Sequence, residues 1–559
     1  MADIDPRIEA LDKRYQKLLG QRSPYEELWR QLIARVRPAR TTPLVSISPG
    51  QSQMTSVFDS APIHANETLA ASMAGSLTNG ATKWFRLRHR LEAVNQDPAT
   101  QRWLDNCTTT CHKALQSSNF GSEGIEGYKD LGAFGIAAIL MQENPMRPKG
   151  TRFGGMEFSC MSPGEYVVAE GAGGVVNTLF RTVPKTPAAL VEQWPTMQAQ
   201  DRIGQLLESD PDSPIDVVHA IVPQRQAQAG DKPFASIYYL PQDRTLISVS
   251  GYWEFPVLVP RWSKSSREVY GRGPGHTALP DINTLNRVVE QALRAADKYI
   301  DPPMKALDEG VLSSVRISPA GITYLRSMDA LQILEAASPG LVQLAQLKVQ
   351  DLQHQIKETF YNHQIQLPSQ AYMTAEEVTK RYELMQRILG PTLGRLESEF
   401  LAPMIRRLFM TLFRAGMLPN PPDAVIKAQQ AGFSEIDIEY EGPIAQSQRR
   451  SDVESIQRTI AVLSPLVQVK PEIIDNFDLD GLARQVATDN GVAASFLRTP
   501  DEINVMRQAR AKVKAAAAQA QLQQVQSQTA SNMGSALAQG AQAAATATDA
   551  APQGAPNGG

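Results

Sequence analysis

Between Asp281 and Phe413 the chain carries more helical pattern than a globular body can cover, and this limits what the rest of it can build. The run DINTLNRVVEQALRAADKYI, 281–300, sets Ile282, Leu285, Val289, Leu293, Ala296 and Ile300 along one stripe, and Pro302-Pro303 stops it. About 20 residues at 1.5 Å each make a rod of roughly 30 Å. A second rod of similar length, Leu341 to Tyr361, carries Leu341, Leu344, Lys348, Leu352, Ile356 and Phe360 at helical spacing. The segment between them, 302–339, is broken by Gly310, Pro319, Gly321 and Pro339. A third run opens at Thr374, where Glu377 completes a capping box, and keeps its periodicity to Phe413. Gly390-Pro391 and Pro403 must kink or break it, yet it would still reach about 60 Å if helical throughout. Two rods and a long bent helix close poorly into a globule, so apolar surface must be buried against neighbours in a symmetric assembly.

Elsewhere the pattern alternates between helix and strand. Leu28, Trp29, Leu32, Ile33 and Val36 share a helical face; Ser23 is expected to cap that helix, with Pro24 at its first position, Glu26 completing the box and Pro38 ending it. A second helix is expected over 61–77. From about Gly154 to Trp262 come short β-rich runs, MEFSCM, YVVAE, VVNTLFRTV, DVVHAIV, ASIYYL, TLISVSGYW and PVLVPRW, which read as antiparallel strands. GAGG, 171–174, supplies a tight hairpin between two of them, and one helix capped by Thr186-Pro187 interrupts the sheet. Leu131 to Met141, LGAFGIAAILM, is far shorter than the roughly 20 residues that span a bilayer and is expected to be a buried helix. EIDIEYEGP reads as a strand, 445–520 as helical, and the Ala/Gln/Gly-rich 521–559, with few large apolar side chains, as a flexible tail. The fold class is α+β, mainly helical.

Charge and motifs restrict function more than they reveal it. The net charge is −3, without the basic excess of a protein that grips phosphates; if the chain meets DNA, it should let it slide. MADIDPRIEALDKRYQ lacks the apolar core of a signal peptide, and Cys107, Cys111 and Cys160 are too few and odd in number for a disulfide framework, so a reducing cytosol is expected. Cys107, Cys111 and His112 have no second ligand pair at finger-like spacing and read as packing residues. Gly271-Arg-Gly-Pro-Gly275 lacks the Lys-Ser/Thr ending of a P-loop and reads as a strand-to-helix turn. With no HExxH, no GxSxG and no acid-rich metal pattern, no catalytic residue, metal or cofactor is assigned. Arg287, Arg294 and Lys298 on the first rod, and Lys348 and Lys357 on the second, could form a basic stripe facing DNA. Glu290, Asp297, Asp351 and Glu358 make an ordinary ion-paired, solvated face the alternative.

One family contains these parts in this order. RSPYEELWRQLIARVRP, FDSAPIHANETLAASMAGSLTNGATKWFRL, YGRGPGHTALPDINTLNRVVEQAL, MTAEEVTKRYELMQRILGPTLGRLESEFLAPMIRRLF and IEYEGPIAQSQR together resemble the portal, or head-to-tail connector, proteins of short-tailed bacteriophages, from about residue 15 to 510. The resemblance implies a ring of twelve identical subunits at one capsid vertex, through which double-stranded DNA enters and leaves. It implies a wing over 1–280 (its β-rich unit about 154–262), stem helices over 281–301 and 340–362, a clip over 302–339, a tunnel loop over 363–373, a long kinked wing helix and strand over 374–444 and a crown over 445–520. Implied partners are the terminase motor, later tail adaptor proteins, and major capsid and scaffolding proteins, with no membrane. The implied location is the virion, after assembly in the host bacterial cytoplasm. A near-neutral chain suits such a tube, because a strongly basic channel would brake DNA at every phosphate.

The family's tunnel loop corresponds to HQIQLPSQAYM, 363–373, which contains no Lys, Arg, Asp or Glu. His363, Gln364, Gln366, Gln370 and Tyr372 could touch a passing backbone weakly, whereas fixed charge would pin or repel it. A plain connector on the outer surface is the alternative for this segment. For the whole chain the competitors are a terminase-like enzyme, which needs a Walker motif or clustered acids, and a structural adaptor or internal scaffold without a channel. The purified chain is expected to hydrolyse neither ATP nor DNA; hydrolysis that tracks the protein through chromatography and disappears on a point substitution would contradict this.

Overall fold

The computed structural model describes residues 6–45, 56–80, 83–144, 152–224, 231–300, 304–306, 324–327, 329, 331–333, 339–362, 390–432, 436–440, 456, 458–462, 465, 478–489, 498 and 500–548. They form two units, Met1–Val462 and Leu463–Gly559. The first opens with helices α1 (Pro6–Arg35) and α2 (Ala61–Leu77), strand β1 (Phe85–His89) and helices α3 (Glu92–Asn95), α4 (Pro98–Gln116) and α5 (Phe120–Phe134). Strands β2 (Ala138–Glu143), β3 (Met156–Met161), β4 (Tyr166–Glu170) and β5 (Val176–Lys185) follow, then α6 (Pro187–Gln193) and α7 (Asp201–Ser209). Next come β6 (Ile215–Pro223), β7 (Phe234–Leu240), β8 (Thr245–Tyr252), β9 (Val257–Leu258), α8 (Pro274–Ile300), β10 (Met304–Ala306), β11 (Leu331–Ile333) and α9 (Pro339–Thr359). The helical stretch 390–401, helices Ala402–Arg414 and Asp423–Gln430, strand β12 (Ile436–Tyr440) and the helical residues 458–462 follow.

The β-rich runs form an antiparallel sheet of order β4-β5-β6-β7-β8 and a smaller one of order β3-β2-β9. Gly174, at φ +71°, lets the GAGG hairpin turn between β4 and β5, closed by Gly171 N donating to Val175 O at 2.9 Å. Strand alternation gives the larger sheet two apolar faces. Val167, Phe180, Val218 and Ala220 meet Ile8, Tyr15 and Leu18 of α1, while Val217, Ile215 and Leu240 on the other side meet Leu190, Met197 and Ile203 of the α6–α7 insertion. Thr186 caps α6 as expected, accepting from Ala189 N at 3.3 Å.

Two local expectations give way to tertiary packing. Helix α1 does not start at Ser23; it runs from Pro6 straight through Ser23-Pro24. Its first half packs on the sheet, and its second half places Trp29, Leu32, Ile33 and Val36 in the main core, so burial on both sides outweighs the local cap signal. Glu26 instead accepts from Arg22 Nε at 2.9 Å, and Arg22 donates to the carbonyls of Gly164 and Tyr166, which closes the β4 edge. The apolar run Leu131–Met141 is likewise not one helix. Gly135 takes the left-handed conformation, φ +69°, and ends α5, and the Ile-rich remainder becomes strand β2.

GRGPG is the strand-to-helix turn expected, and its glycines have a packing role. Ser263 and Arg272 pair as an isolated bridge, Trp262 N donates to Gly135 O at 2.9 Å, and α8 starts at Pro274. A Cβ on Gly271 would fall on the Gly135 carbonyl oxygen, one on Gly273 would lie 2.7 Å from Leu131 O, and one on Gly275 would fall on Ala133 O. The base of α8 therefore rests main chain to main chain on the end of α5.

Arg261, 1% exposed, joins the larger sheet to the helices. It donates to Glu399 from its backbone N (3.1 Å), Nε (3.0 Å) and a terminal nitrogen (2.6 Å), to Gly174 O (2.9 Å), to Val269 O (3.2 Å) and to the Glu170 carboxylate, which Lys264 also holds. A cation removed from water is tolerated only when its donors are matched in this way.

In the second unit Pro500–Thr548 is a single 49-residue helix, and Arg507 pairs with Asp480 of helix Leu479–Asp489 at 2.6 Å. Residues 521–548, expected as a flexible tail, are thus helical. Ala and Gln are strong helix formers, and backbone hydrogen bonding along a helix needs no large apolar side chain. Residues 549–559 lie outside the described ones.

Two measurements test this account. Arg261→Met leaves Glu399 without its cation, and Glu170 with Lys264 alone, and should cost about 3 kcal/mol in denaturant unfolding; a loss below about 1 kcal/mol would show the cluster to be dispensable. The second concerns His219, fully buried in a cross-strand row on β5, β6 and β7, stacked at 3.9 Å on Tyr238, accepting from Arg181 Nε at 3.1 Å and bonded to Ser236 Oγ at 2.9 Å. Burial, and then the Arg181 charge, hold its imidazole well below the ordinary 6.5. The folded sheet therefore keeps the ring neutral while the unfolded chain takes up a proton below about pH 6.5. The stability that the neutral ring supplies is present above that value and is lost as pH falls, by up to about 1.4 kcal/mol per unit. His219→Gln should flatten the pH dependence of the melting temperature between pH 6.5 and 5; an unchanged slope would exclude His219 as its source.

Candidate functional site

The two rods grow out of the main core and leave it. At its base α8 buries Ala278, Leu279, Ile282 and Leu285. The Asn286 amide ties it to the chain ahead of α2, with Phe58 N donating to its Oδ1 at 2.9 Å and its Nδ2 donating to Ser56 O at 3.2 Å. Beyond Val289, which is partly buried, the same apolar stripe continues without cover: Leu293 is 51% and Ile300 80% exposed. Helix α9 mirrors this. Leu352, Ile356 and Phe360 are buried, Gln353 donates to Asp59 at 2.7 Å and Tyr361 stacks on Trp262, whereas Leu344 and Leu347 are 64% and 65% exposed. The rods pack on each other, and each has one anchored and one bare end.

All five basic residues singled out on the rods are exposed. Arg294 pairs with Glu290 at 2.6 Å and Lys348 with Asp351 at 3.0 Å, each within its own helix, as the solvated-face alternative has it. Arg287, Lys298 and Lys357 extend from the same helices into solvent. Pairs this exposed hold their partners weakly, and both rods present charges of both signs. Of the segment between the rods, 304–306 and 331–333 pair antiparallel, Met304 opposite Ile333. The uncharged link with His363, Gln364, Gln366, Gln370 and Tyr372 lies outside the described residues, as do 374–389.

The alternative chemistries resolve into packing. Cys107 and Cys111 are buried on α4, and burial pushes the Cys107 thiol up to about 12. His112 stacks on Phe85 at 4.0 Å with Nε2 at 3.1 Å from Phe85 O. Among the described residues no group of three or more His, Cys, Asp or Glu could hold a metal, and no helix is long and apolar enough to cross a membrane.

Sequence reasoning missed Arg261, Glu399 and Asn286, the residues that fix where the rods and the following helix attach. The available signal was faint: an arginine closing the apolar run PVLVPRW, and a polar residue within the apolar stripe of 281–300.

The sequence family described as bacteriophage head to tail connecting protein matches residues 8–497. A probable portal protein of Bordetella phage BPP-1 is 27% identical over 538 residues, covering 93% of this chain and 94% of its own length. The portal protein of Salmonella phage epsilon15 is 26% identical over 550 residues, covering 96% and 94%.

Proposed function

The chain belongs to the bacteriophage head-to-tail connecting, or portal, proteins, and we propose that it works as a closed ring at one capsid vertex, with α8 and α9 lining a channel for double-stranded DNA during packaging and ejection. The observation that carries this reading is the bare outer part of both rods. Leu293, Tyr299, Ile300, Leu344 and Leu347 expose large apolar side chains on helices whose other ends are well packed. Water does not favour such surface on a lone subunit, whereas a ring of copies covers it with the same helices of the neighbours.

In this reading residues 1–280 form the wing, 281–301 and 340–362 the stem, 302–339 the clip, 363–373 the tunnel loop, 374–444 the long wing helix and strand, and 445–520 the crown. Twelve copies surround the channel. The clip docks the terminase and later the tail adaptor proteins, and major capsid and scaffolding proteins are further partners. The protein is a structural component of the virion, assembled in the bacterial cytoplasm, and the terminase performs the hydrolysis. Exposed Arg287, Arg294, Lys298, Lys348 and Lys357, balanced by acids on the same helices, meet DNA through weak, exchangeable contacts.

Two experiments test this. Light scattering of the purified chain at micromolar concentration should give a mass near twelve subunits, and negative-stain images should show rings with a central hole; a stable monomer, or a solid particle, would sink the ring reading. For the tunnel loop, Gln364→Lys, Gln366→Lys and Gln370→Lys together should leave the ring assembled but slow packaging or ejection in phage complementation, more so at low salt where phosphate contacts tighten. Normal infectivity and DNA content with all three lysines would place this link away from the channel.

A further inference from the structure

The helical stretch 390–414 changes character once. Residues Glu397–Leu401 form a single π turn, in which Ala402 N reaches back to Glu397 O. Pro403 favours a departure from α geometry here, since it has no N–H to give the Glu399 carbonyl and its ring would press on that oxygen in an α-helix. Widening the helix by one residue just ahead of the proline relieves the clash. Proline alone does not dictate this solution, since a simple kink in α register serves elsewhere.

The selecting contact is on another element. Glu399 lies within the π turn and takes three hydrogen bonds from Arg261, at 3.1, 3.0 and 2.6 Å. The guanidinium cannot follow a moving partner, because Glu170, Gly174 O and Val269 O hold its other donors. A one-residue change of register turns a helical side chain by about 100°. In α register Glu399 would leave Arg261, and a cation 1% exposed would lose its principal anion.

We propose that the stretch 390–414 is a two-register element, and that the Arg261–Glu399 pairing selects the π register. The part that moves is 390–396. Helix Ala402–Arg414 is fixed by Arg407, which donates to Met141 O at 3.1 Å and Glu254 O at 2.9 Å, and by Arg414 on Glu254 at 2.6 Å. On release, 390–396 turns by about 100° and shifts about 1.5 Å along the axis, carrying Leu396 out of the core and exchanging it for a neighbour. Because Arg261 also grips the β4–β5 hairpin and the loop before α8, a displacement of either is passed to 390–396 through one guanidinium.

High-resolution structures of the full chain test it in four forms: unaltered, Glu399→Gln, Pro403→Ala and both together. The π turn should persist in Pro403→Ala, where Arg261 still holds Glu399, and should relax to α register in the double variant, with Leu396 rotated. Hydrogen exchange supplies a second measurement that needs only the near-isosteric Glu399→Gln: amides 397–402 should exchange about tenfold faster while 405–412 stay unchanged. Loss of the π turn in Pro403→Ala alone would show that proline by itself sets the register. Its survival in the double variant, or unaltered exchange in Glu399→Gln, would also overturn the proposal. Should the double variant fail to fold, the exchange measurement decides by the same criterion.

Discussion

A guanidinium that has lost its water must be surrounded by oxygen, and at Arg261 those oxygens come from three segments of the chain: Glu170 and Gly174 around one hairpin, Val269 ahead of α8, and Glu399 in the stretch 390–414. Ion pairs of this kind add little net stability over an apolar replacement of the same shape. What they impose is uniqueness, because few arrangements of hairpin, loop and helix satisfy all the donors at once. Asp130 plays a comparable part on α5, buried beneath Arg37 and Arg40, with Arg40 at 3.0 Å. The main core is thus held in register by a few buried charges and filled by aliphatic and aromatic side chains around them.

Much of the element order was legible because its signals are local. The strands announce themselves by alternation and by GAGG, α2 by its periodicity between 61 and 77, and the rods by apolar stripes, the first of them ended by Pro302-Pro303. Where local and tertiary signals compete, the sequence misleads. Ser23-Pro24-Tyr-Glu26 is a sound cap in isolation, but Ile8 and Leu18 upstream find a sheet to cover, and that burial draws the helix back to Pro6. Leu131–Met141 is apolar throughout, and only the left-handed Gly135 decides where helix becomes strand. The long helix escapes a pattern reading for the same reason: Pro403 signals a break, and the chain answers with a π turn fixed by an arginine some 140 residues earlier.

The candidate site was legible in outline and not in detail. Stripe periodicity locates the rods but cannot say how far along each the cover of the core extends. That limit is set by Asn286 on α8 and by Gln353 on α9, through partners in the segment 56–59 that no spacing rule connects to them. Basic residues at helical spacing are equally ambiguous, since a stripe facing a polyanion and a solvated, self-paired face draw on the same letters.

The three glycines under α8 have a mechanical meaning. Elements that meet through side chains can yield, since rotamers exchange and methyl groups slide. At Gly271, Gly273 and Gly275 the rod meets α5 through main-chain atoms with nothing between them to deform. A load applied at the far end of α8 is therefore not absorbed at its root. It passes stiffly into α5 and, through Gly135, into the small sheet of β2, β3 and β9, so that the rod behaves as a beam built into a wall and not as a pin in a socket.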